Sequence, residues 1–281
     1  MSDLLQRFSF QGLPVRGAVA RLNQTWLAVR HRNPVPMPAQ ELLGQALAAS
    51  ALLSSDLKIR ARVGLQLQGE GPLKLLLAQC ASDGGQRGIA RCPAELSGSE
   101  DFSALTRAST LVISIDGTQT DQNYQGIVPL EGNTLAAALE GYFRRSEQLA
   151  TGIWLVADHE KAAGLLIQRL PGHHEYPESW EELCALAGTL TLEELLSLEA
   201  LPLLGRLFPE HTILDGGSVP LEFACQCSRD KVVEVLRVLG RDALTDDLRQ
   251  HREVTVDCEF CNERYGFDAV DIDHLFAGQA S

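Results

Sequence analysis

Cys225-Gln226-Cys227 and, thirty residues further on, Cys258-Glu259-Phe260-Cys261 decide how the C-terminal part of this chain is built. Two short thiol pairs suit a tetrahedral metal: each brings two sulfurs to one side of the ion, and the fold only has to unite the pairs. Four thiolates at about 2.3 Å leave no open position, the donor set of a structural zinc site. The expectation is one zinc per chain, held by Cys225, Cys227, Cys258 and Cys261. Residues 221–281 number 61 and contain few large apolar side chains, a size at which a metal commonly stands in for core. Seven Arg or Lys against thirteen Asp or Glu weaken a reading of this segment as a nucleic-acid zinc ribbon.

Working outward, Lys231 to Leu239 reads as a helix between the two clusters, and Asp215-Gly216-Gly217 as the break before the module. From about Glu178 to Phe208 the pattern is of short helices. Ser179 with Glu182 and Thr191 with Glu194 fit the capping box, whose side chains satisfy orphaned backbone donors. Leu183, Leu186, Leu192, Leu195, Leu196, Leu203, Leu204 and Leu207 supply apolar faces. Each piece is shorter than the roughly 12–15 residues at which an isolated helix becomes marginal, so these helices need something to lie against.

Residues 1 to about 170 read as mixed α/β. Val63, Leu65 and Leu67 alternate with polar neighbours up to the turn Gly69-Glu70-Gly71-Pro72. Leu73 to Ala78, Leu111 to Asp116, Ile153 to Ala157 and Gly164 to Ile167 are further strand candidates, with a turn at Asp83-Gly84-Gly85. Two helices stand out, one from about Pro38 to Ser54 and one from about Thr134 to Glu147. The expected organisation is an N-terminal α/β (α+β) domain over 1–172, a helical linker over 173–220 and a small zinc-binding domain over 221–281.

The 281 residues are 45% hydrophobic and 22% charged, with a formal net charge of −13. That composition gives a globular chain with a real core and argues against bulk attraction to nucleic acid or anionic membrane. Met1 to Gly12 lacks a sustained apolar region, and no apolar run approaches the roughly 18 residues of a membrane span. A cytosolic location is expected, where clustered thiols mean metal more often than structural disulfides. Cys80, Cys92 and Cys184 stand singly and read as small core hydrophobes. His173-His174 reads as a solvated loop. Asp268, Asp271 and Asp273 resemble a calcium loop only superficially, lacking its Gly and closing Glu. Without a Gly-x-x-x-x-Gly-Lys loop, a nucleophile elbow or a visible triad, the chain is not expected to be an enzyme. Two other classes stay open: a thiol oxidoreductase using Cys258 and Cys261, which catalytic insulin reduction would reveal, and a zinc-dependent transcription regulator, which needs a basic face.

With the cysteine module in hand, nearly the whole chain resembles the redox-regulated holdase chaperones of the thirty-three-kilodalton heat-shock protein family. The resemblance is carried by Arg87-Gly88, by 124–130 (Tyr-Gln-Gly-Ile-Val-Pro-Leu), by Tyr142-Phe143 with Ser146-Glu147-Gln148, and by 163–172 (Ala-Gly-Leu-Leu-Ile-Gln-Arg-Leu-Pro-Gly). Cys225-Gln226-Cys227-Ser228-Arg229, Cys258-Glu259-Phe260-Cys261-Asn262 and Tyr265-Gly266-Phe267-Asp268 carry it at the C-terminal end. Ala163-Gly164 stands where Gly-Gly is commoner.

The resemblance implies a cytosolic, ATP-independent holdase, quiet when reduced and zinc-bound. Oxidants such as peroxide would form two disulfides and release zinc. The linker and zinc domain would then unfold, and the protein would dimerise, hold unfolding clients and pass them to ATP-dependent foldase chaperones. The expected pairs are Cys225 with Cys227 and Cys258 with Cys261. Four sulfurs around a zinc do not choose by geometry alone, but after the module opens, closing a thirty-residue loop costs more entropy than closing a local one. Residues two apart on an extended chain span about 6.6 Å at Cα, near the upper end for a disulfide. Cys225–Cys227 would therefore be the more easily reduced pair.

Overall fold

The computed structural model describes residues 2–57, 60–93, 96, 100–117, 123–171 and 177–277. The chain forms two compact units, Met1–Ala224 and Cys225–Ser281. The first opens with the antiparallel pair β1 (Leu4–Phe10) and β2 (Val15–Leu22), followed by helices α1 (Gln24–Arg32) and α2 (Met37–Ser54). Next come β3 (Ala61–Gly69), β4 (Leu75–Ala81), β5 (Gly85–Arg91), the single turn α3 (Phe102–Leu105), β6 (Ser109–Gly117) and β7 (Asn123–Val128). Helix α4 (Leu135–Tyr142) leads to β8 (Thr151–Ala157) and β9 (Ala162–Arg169). Three short helices, α5 (Pro177–Ala187), α6 (Leu192–Ser197) and α7 (Ala200–Leu207), precede β10 (Ile213–Pro220) and β11 (Glu222–Phe223).

These strands make two sheets, ordered β10-β1-β2-β9-β8 and β11-β5-β4-β3-β6-β7. Every pairing is antiparallel except β11 with β5. Helix α2 lies between the sheets, and twelve of its eighteen residues are buried. That placement explains its composition. A helix covered on two sides is apolar all round, and small residues let the sheets approach: a Cβ on Gly44 would stand 2.5 Å from the Ala157 Cβ. Pro38 in its first turn removes an N–H that would have had no partner there.

Alternation along each strand sends side chains to opposite faces. In the first sheet Leu5, Ala18, Ala20, Leu22, Ile153 and Leu166 face α2 and join the core that continues into Leu65, Leu67, Leu76 and Leu111 of the second sheet. On the opposite face Phe8, Phe10, Val15, Val19, Val156, Leu165 and Ile167 pack with Leu183, Leu195, Leu203, Leu204, Leu207 and Phe208 from α5–α7 and the residue that follows. The first sheet is therefore buried on both faces, which is why β9 reads as an unbroken apolar run. The short helices lie against this sheet within the first unit, which supplies the surface that their length requires.

The structure corrects three local expectations. Asp215-Gly216-Gly217 is not a break but the middle of β10, paired with β1. The register shifts between Gln6 and Phe8, and Asp215 Oδ1 there accepts the Gly217 N–H and the Gln6 Nε2–H, each at 2.7 Å. Gly217 takes φ +80° at this bulge, a backbone that L side chains rarely adopt. Ser179 lies inside the first turn of α5 rather than capping it, whereas Thr191 and Glu194 form the full reciprocal capping box of α6. The helix expected to reach Glu147 ends at Tyr142 and continues as a π-helical turn, Phe143–Glu147, closed by Gln148 at φ +56°. That turn brings Glu147 Oε1 to the hydroxyls of Tyr142 (2.7 Å) and Tyr124 (2.9 Å), tying β7 to the turn.

The second unit contains α8 (Arg229–Leu239), α9 (Arg241–His251), the hairpin β12 (Val254–Asp257) and β13 (Arg264–Phe267), and α10 (Ala269–Phe276). Its core is small: Val232, Leu236, Leu244, Val254, Phe267, Ile272, Leu275 and Phe276. Ser228 caps α8. Asp268 and Asp271 form a capping box on α10, Asp271 also pairs with Arg229 at 2.8 Å, and Asp273 pairs with Arg241. Their spacing thus serves helix ends and ion pairs. Among the described residues no helix is long and apolar enough to cross a membrane.

Candidate metal centre

The second unit brings the two thiol pairs together. Cys225 and Cys227 lie on the extended run before α8, and Cys258 and Cys261 on the turn between β12 and β13. That turn is fixed by its backbone: Cys258 N–H donates to Glu263 O at 2.8 Å, and Asn262 N–H to Cys258 O at 2.7 Å. Asn262 takes φ +62° to close it, a conformation that Asn tolerates better than most residues.

The four Sγ atoms lie within 4.8 Å of one another, with Cys225 3.6 Å from Cys258 and Cys227 3.3 Å from Cys261. A tetrahedral ion at about 2.3 Å from each sulfur requires sulfur–sulfur edges of about 3.8 Å, so the arrangement fits zinc with small adjustments. Both of these contacts cross between the clusters, and with all four sulfurs this close the folded geometry does not select the local disulfide pairing. All four cysteines are half-buried.

The surroundings tune the sulfurs unequally. At Cys258 burial pushes the thiol up, but backbone N–H groups of Cys261 and Phe260, with the Cys261 and Cys225 thiols, outweigh it and bring the group down to about 7. Burial raises Cys225 and Cys261, and for Cys261 the neighbouring thiols add to it. Tyr265 of β13 donates its hydroxyl to Cys227 Sγ at 3.1 Å. Sequence reasoning assigned Tyr265 no role of its own, since it lies four residues beyond Cys261 and only the hairpin turns it toward the sulfur.

The remaining cysteines lie in the first unit. Cys80 is fully buried in β4, its thiol pushed up to about 11 by burial and 3.4 Å from the Ser54 hydroxyl. Cys184 on α5 is half-buried and also pushed up to about 11, by burial and then by the charges of Glu140 and Glu181. Cys92 is half-buried and raised by burial. His173-His174 falls outside the described residues.

Comparison with known proteins agrees with this layout from end to end. The chain is 44% identical to the 33 kDa chaperonin of Ectopseudomonas mendocina, a match covering 100% of this chain and 97% of the relative. It is 40% identical to the 33 kDa chaperonin of Methylobacillus flagellatus, covering 98% and 95%. The crystal structure of the 33 kDa chaperonin (heat shock protein 33 homolog) from Thermotoga maritima superimposes with a TM-score of 0.86 over 99% of both chains, at 24% identity, which speaks to the fold. The family model described as Hsp33 protein matches residues 3–268, so both units fall within one family, and the chain belongs to the Hsp33 family.

Proposed function

We propose that this chain is a redox-regulated, ATP-independent holdase chaperone, quiet when reduced with one zinc on Cys225, Cys227, Cys258 and Cys261. The observation that carries this reading is the position of the thiol cluster, in a unit whose core counts eight buried side chains among the described residues. Zinc in a small module contributes an apparent ~10–16 kcal/mol that counts as folding free energy. A whole domain's net stability is only about 5–15 kcal/mol. Oxidising the ligands therefore unfolds the 225–281 unit outright. Bound zinc would supply a closed tetrahedral centre with no open position, and its stoichiometry should fall far below one in Cys227→Ser but not in Cys92→Ser.

Chain connectivity carries the change onward. β11 and β10 end within a few residues of Cys225, and β10 is the edge strand on β1 into which α7 feeds. Loss of the zinc unit leaves the 173–220 linker without an anchor at its C-terminal end. Undocking of α5–α7 then exposes two apolar surfaces, the leucines of the helices and the outer face of the first sheet. Such surface on a chain of net charge −13 stays soluble while it holds unfolding clients or a second subunit. Clients pass afterwards to ATP-dependent foldases in the cytosol. Oxidation closes Cys225–Cys227 and Cys258–Cys261 once the unit has opened, because local loops then cost less entropy.

The test is light scattering from a thermally unfolding client, without ATP, with each redox form added. Oxidised, zinc-free protein suppresses aggregation, reduced zinc-loaded protein does so poorly, and reduction with zinc restores the quiet state. Equal suppression by both forms removes the switch; suppression by neither removes the chaperone.

A further inference from the structure

The switch makes no use of Tyr124, Glu147, Leu166 or Gln168, although all four belong to stretches that carry the family resemblance. They meet at one place in the first unit. Helix α2 separates the two sheets only as far as Ser54. At its end the sheets enclose a cleft of about 880 Å³, within the size range of small-molecule sites. Its apolar walls include Leu52 and Leu53 at the end of the helix, Leu166 of β9, and Val63 and Ile113 of the second sheet. Polar side chains enter from the inner face of the first sheet. There Arg7 stands in one cross-strand row with Ala18 and Leu166, and Arg16 in the next with Ser9 and Gln168.

Among the described residues four charged groups line the cleft, and three of them are matched. Arg16 donates to Asp56 and, at 2.6 Å, to Gln168 Oε1. Glu147 accepts the hydroxyls of Tyr124 and Tyr142. Arg7 has no counterpart: among the described residues nothing pairs with its half-buried guanidinium, and its Nε is shut off from solvent without an acceptor. A cation held in that way costs free energy that an incoming anion recovers. The remaining N–H groups of the guanidinium form a planar fork that a carboxylate matches with two hydrogen bonds.

We propose that this cleft binds a small amphiphilic anion, a carboxylate on an unbranched aliphatic chain. The carboxylate pairs with Arg7, and the chain lies along Leu52, Leu53, Val63, Ile113 and Leu166. Apolar walls reward each methylene buried. One unmatched cation selects a single negative charge over a neutral head, and Asp56 and Glu147 in the same cleft disfavour a dianion. Every residue of the site lies in the first unit, so the proposal is independent of the redox-switch reading.

Isothermal titration calorimetry on full-length, reduced, zinc-loaded protein tests it with decanoate, decan-1-ol and acetate, each below its micelle or solubility limit. The unaltered chain should bind one decanoate, about tenfold to a hundredfold more tightly than decanol, because only decanoate offers both chain and charge. Acetate should not bind measurably. Arg7→Gln should bring decanoate down to the affinity of decanol and leave decanol unchanged, and Arg7→Lys should recover part of the difference. Leu53→Trp, which fills the cleft from a half-buried position, should abolish saturable binding of both probes; thermal unfolding without ligand checks that each variant is folded. If Arg7 serves only to offset the carbonyl end of α2, Arg7→Gln lowers the melting temperature but leaves both affinities alone, and the proposal is overturned. Absence of saturable decanoate binding, equal affinity for decanoate and decanol, or binding that a folded Leu53→Trp leaves intact would overturn it as well.

Discussion

On one face of the five-stranded sheet lies the eighteen-residue helix α2, with α4 beside it over β8; on the other lie three helices of eleven, six and eight residues. Both faces are apolar and both are covered, yet the covers differ in kind. Helix α2 is itself enclosed by a second sheet, so removing it would dismantle the unit. Helices α5–α7 have protein on one side and exposed Leu192 and Leu201 on the other. Each is below the length at which a helix is even marginal alone, so their folding and their docking depend on each other. The difference teaches that an apolar sheet face can be hidden by a cover that is stable only while seated.

Truncating a core leucine in each cover breaks the comparison most directly. Leu47→Ala in α2 and Leu203→Ala in α7 each remove a fully buried side chain and should cost about 2–5 kcal/mol. The costs should fall in different places. Leu47→Ala lowers the global stability of the first unit, measured by denaturant unfolding, whereas Leu203→Ala lowers amide-exchange protection over 177–220 and spares β3 to β6. Equal loss in both regions would make cover and core one cooperative body.

A smaller effect separates the two faces through their thiols. Cys184 lies on α5 and Cys80 under α2, each pushed up to about 11 by burial first of all. A raised value means little thiolate at neutral pH, and return to an ordinary value near 8.5 raises the reactive fraction about three-hundredfold. Oxidation should therefore speed iodoacetamide labelling of Cys184 by about that factor and leave Cys80 slow, as read by peptide mass spectrometry. Unchanged Cys184 labelling would mean that the cover stays seated.

The smallest expected effect is at the α6 cap. Thr191 Oγ1 accepts the Glu194 N–H at 3.2 Å, and Glu194 Oε2 accepts the Thr191 N–H at 3.0 Å. Thr191→Ala should cost about 1 kcal/mol, roughly fivefold in the undocking equilibrium, visible as faster limited proteolysis between α5 and α7. No change in cleavage would show that α6 does not limit undocking.

What could be read from the sequence follows from how local each signal is. The thiol pairs were legible because metal ligation leaves a short-range spacing, and α2 because an apolar helix of that length has few alternatives. Strand β10 was not, since Asp215-Gly216-Gly217 has the composition of a linker and its partner β1 lies some two hundred residues away. The destination of α5–α7 was equally hidden: their leucines show that a surface is needed, not which one. Tyr265 escaped because its contact with Cys227 is made by the hairpin, and no spacing rule points from a tyrosine to a sulfur 38 residues earlier.

Hydrogen–deuterium exchange across the full chain, comparing reduced zinc-loaded with peroxide-oxidised protein, tests the central claim that oxidation lifts one cover and leaves the other. The account predicts loss of protection over 225–277 and over α5–α7 and β10, together with greater exchange at the rim of β1, while α2 and β3 to β6 keep theirs. Full protection of α5–α7 in the oxidised protein, or loss of protection in α2 along with them, would contradict it.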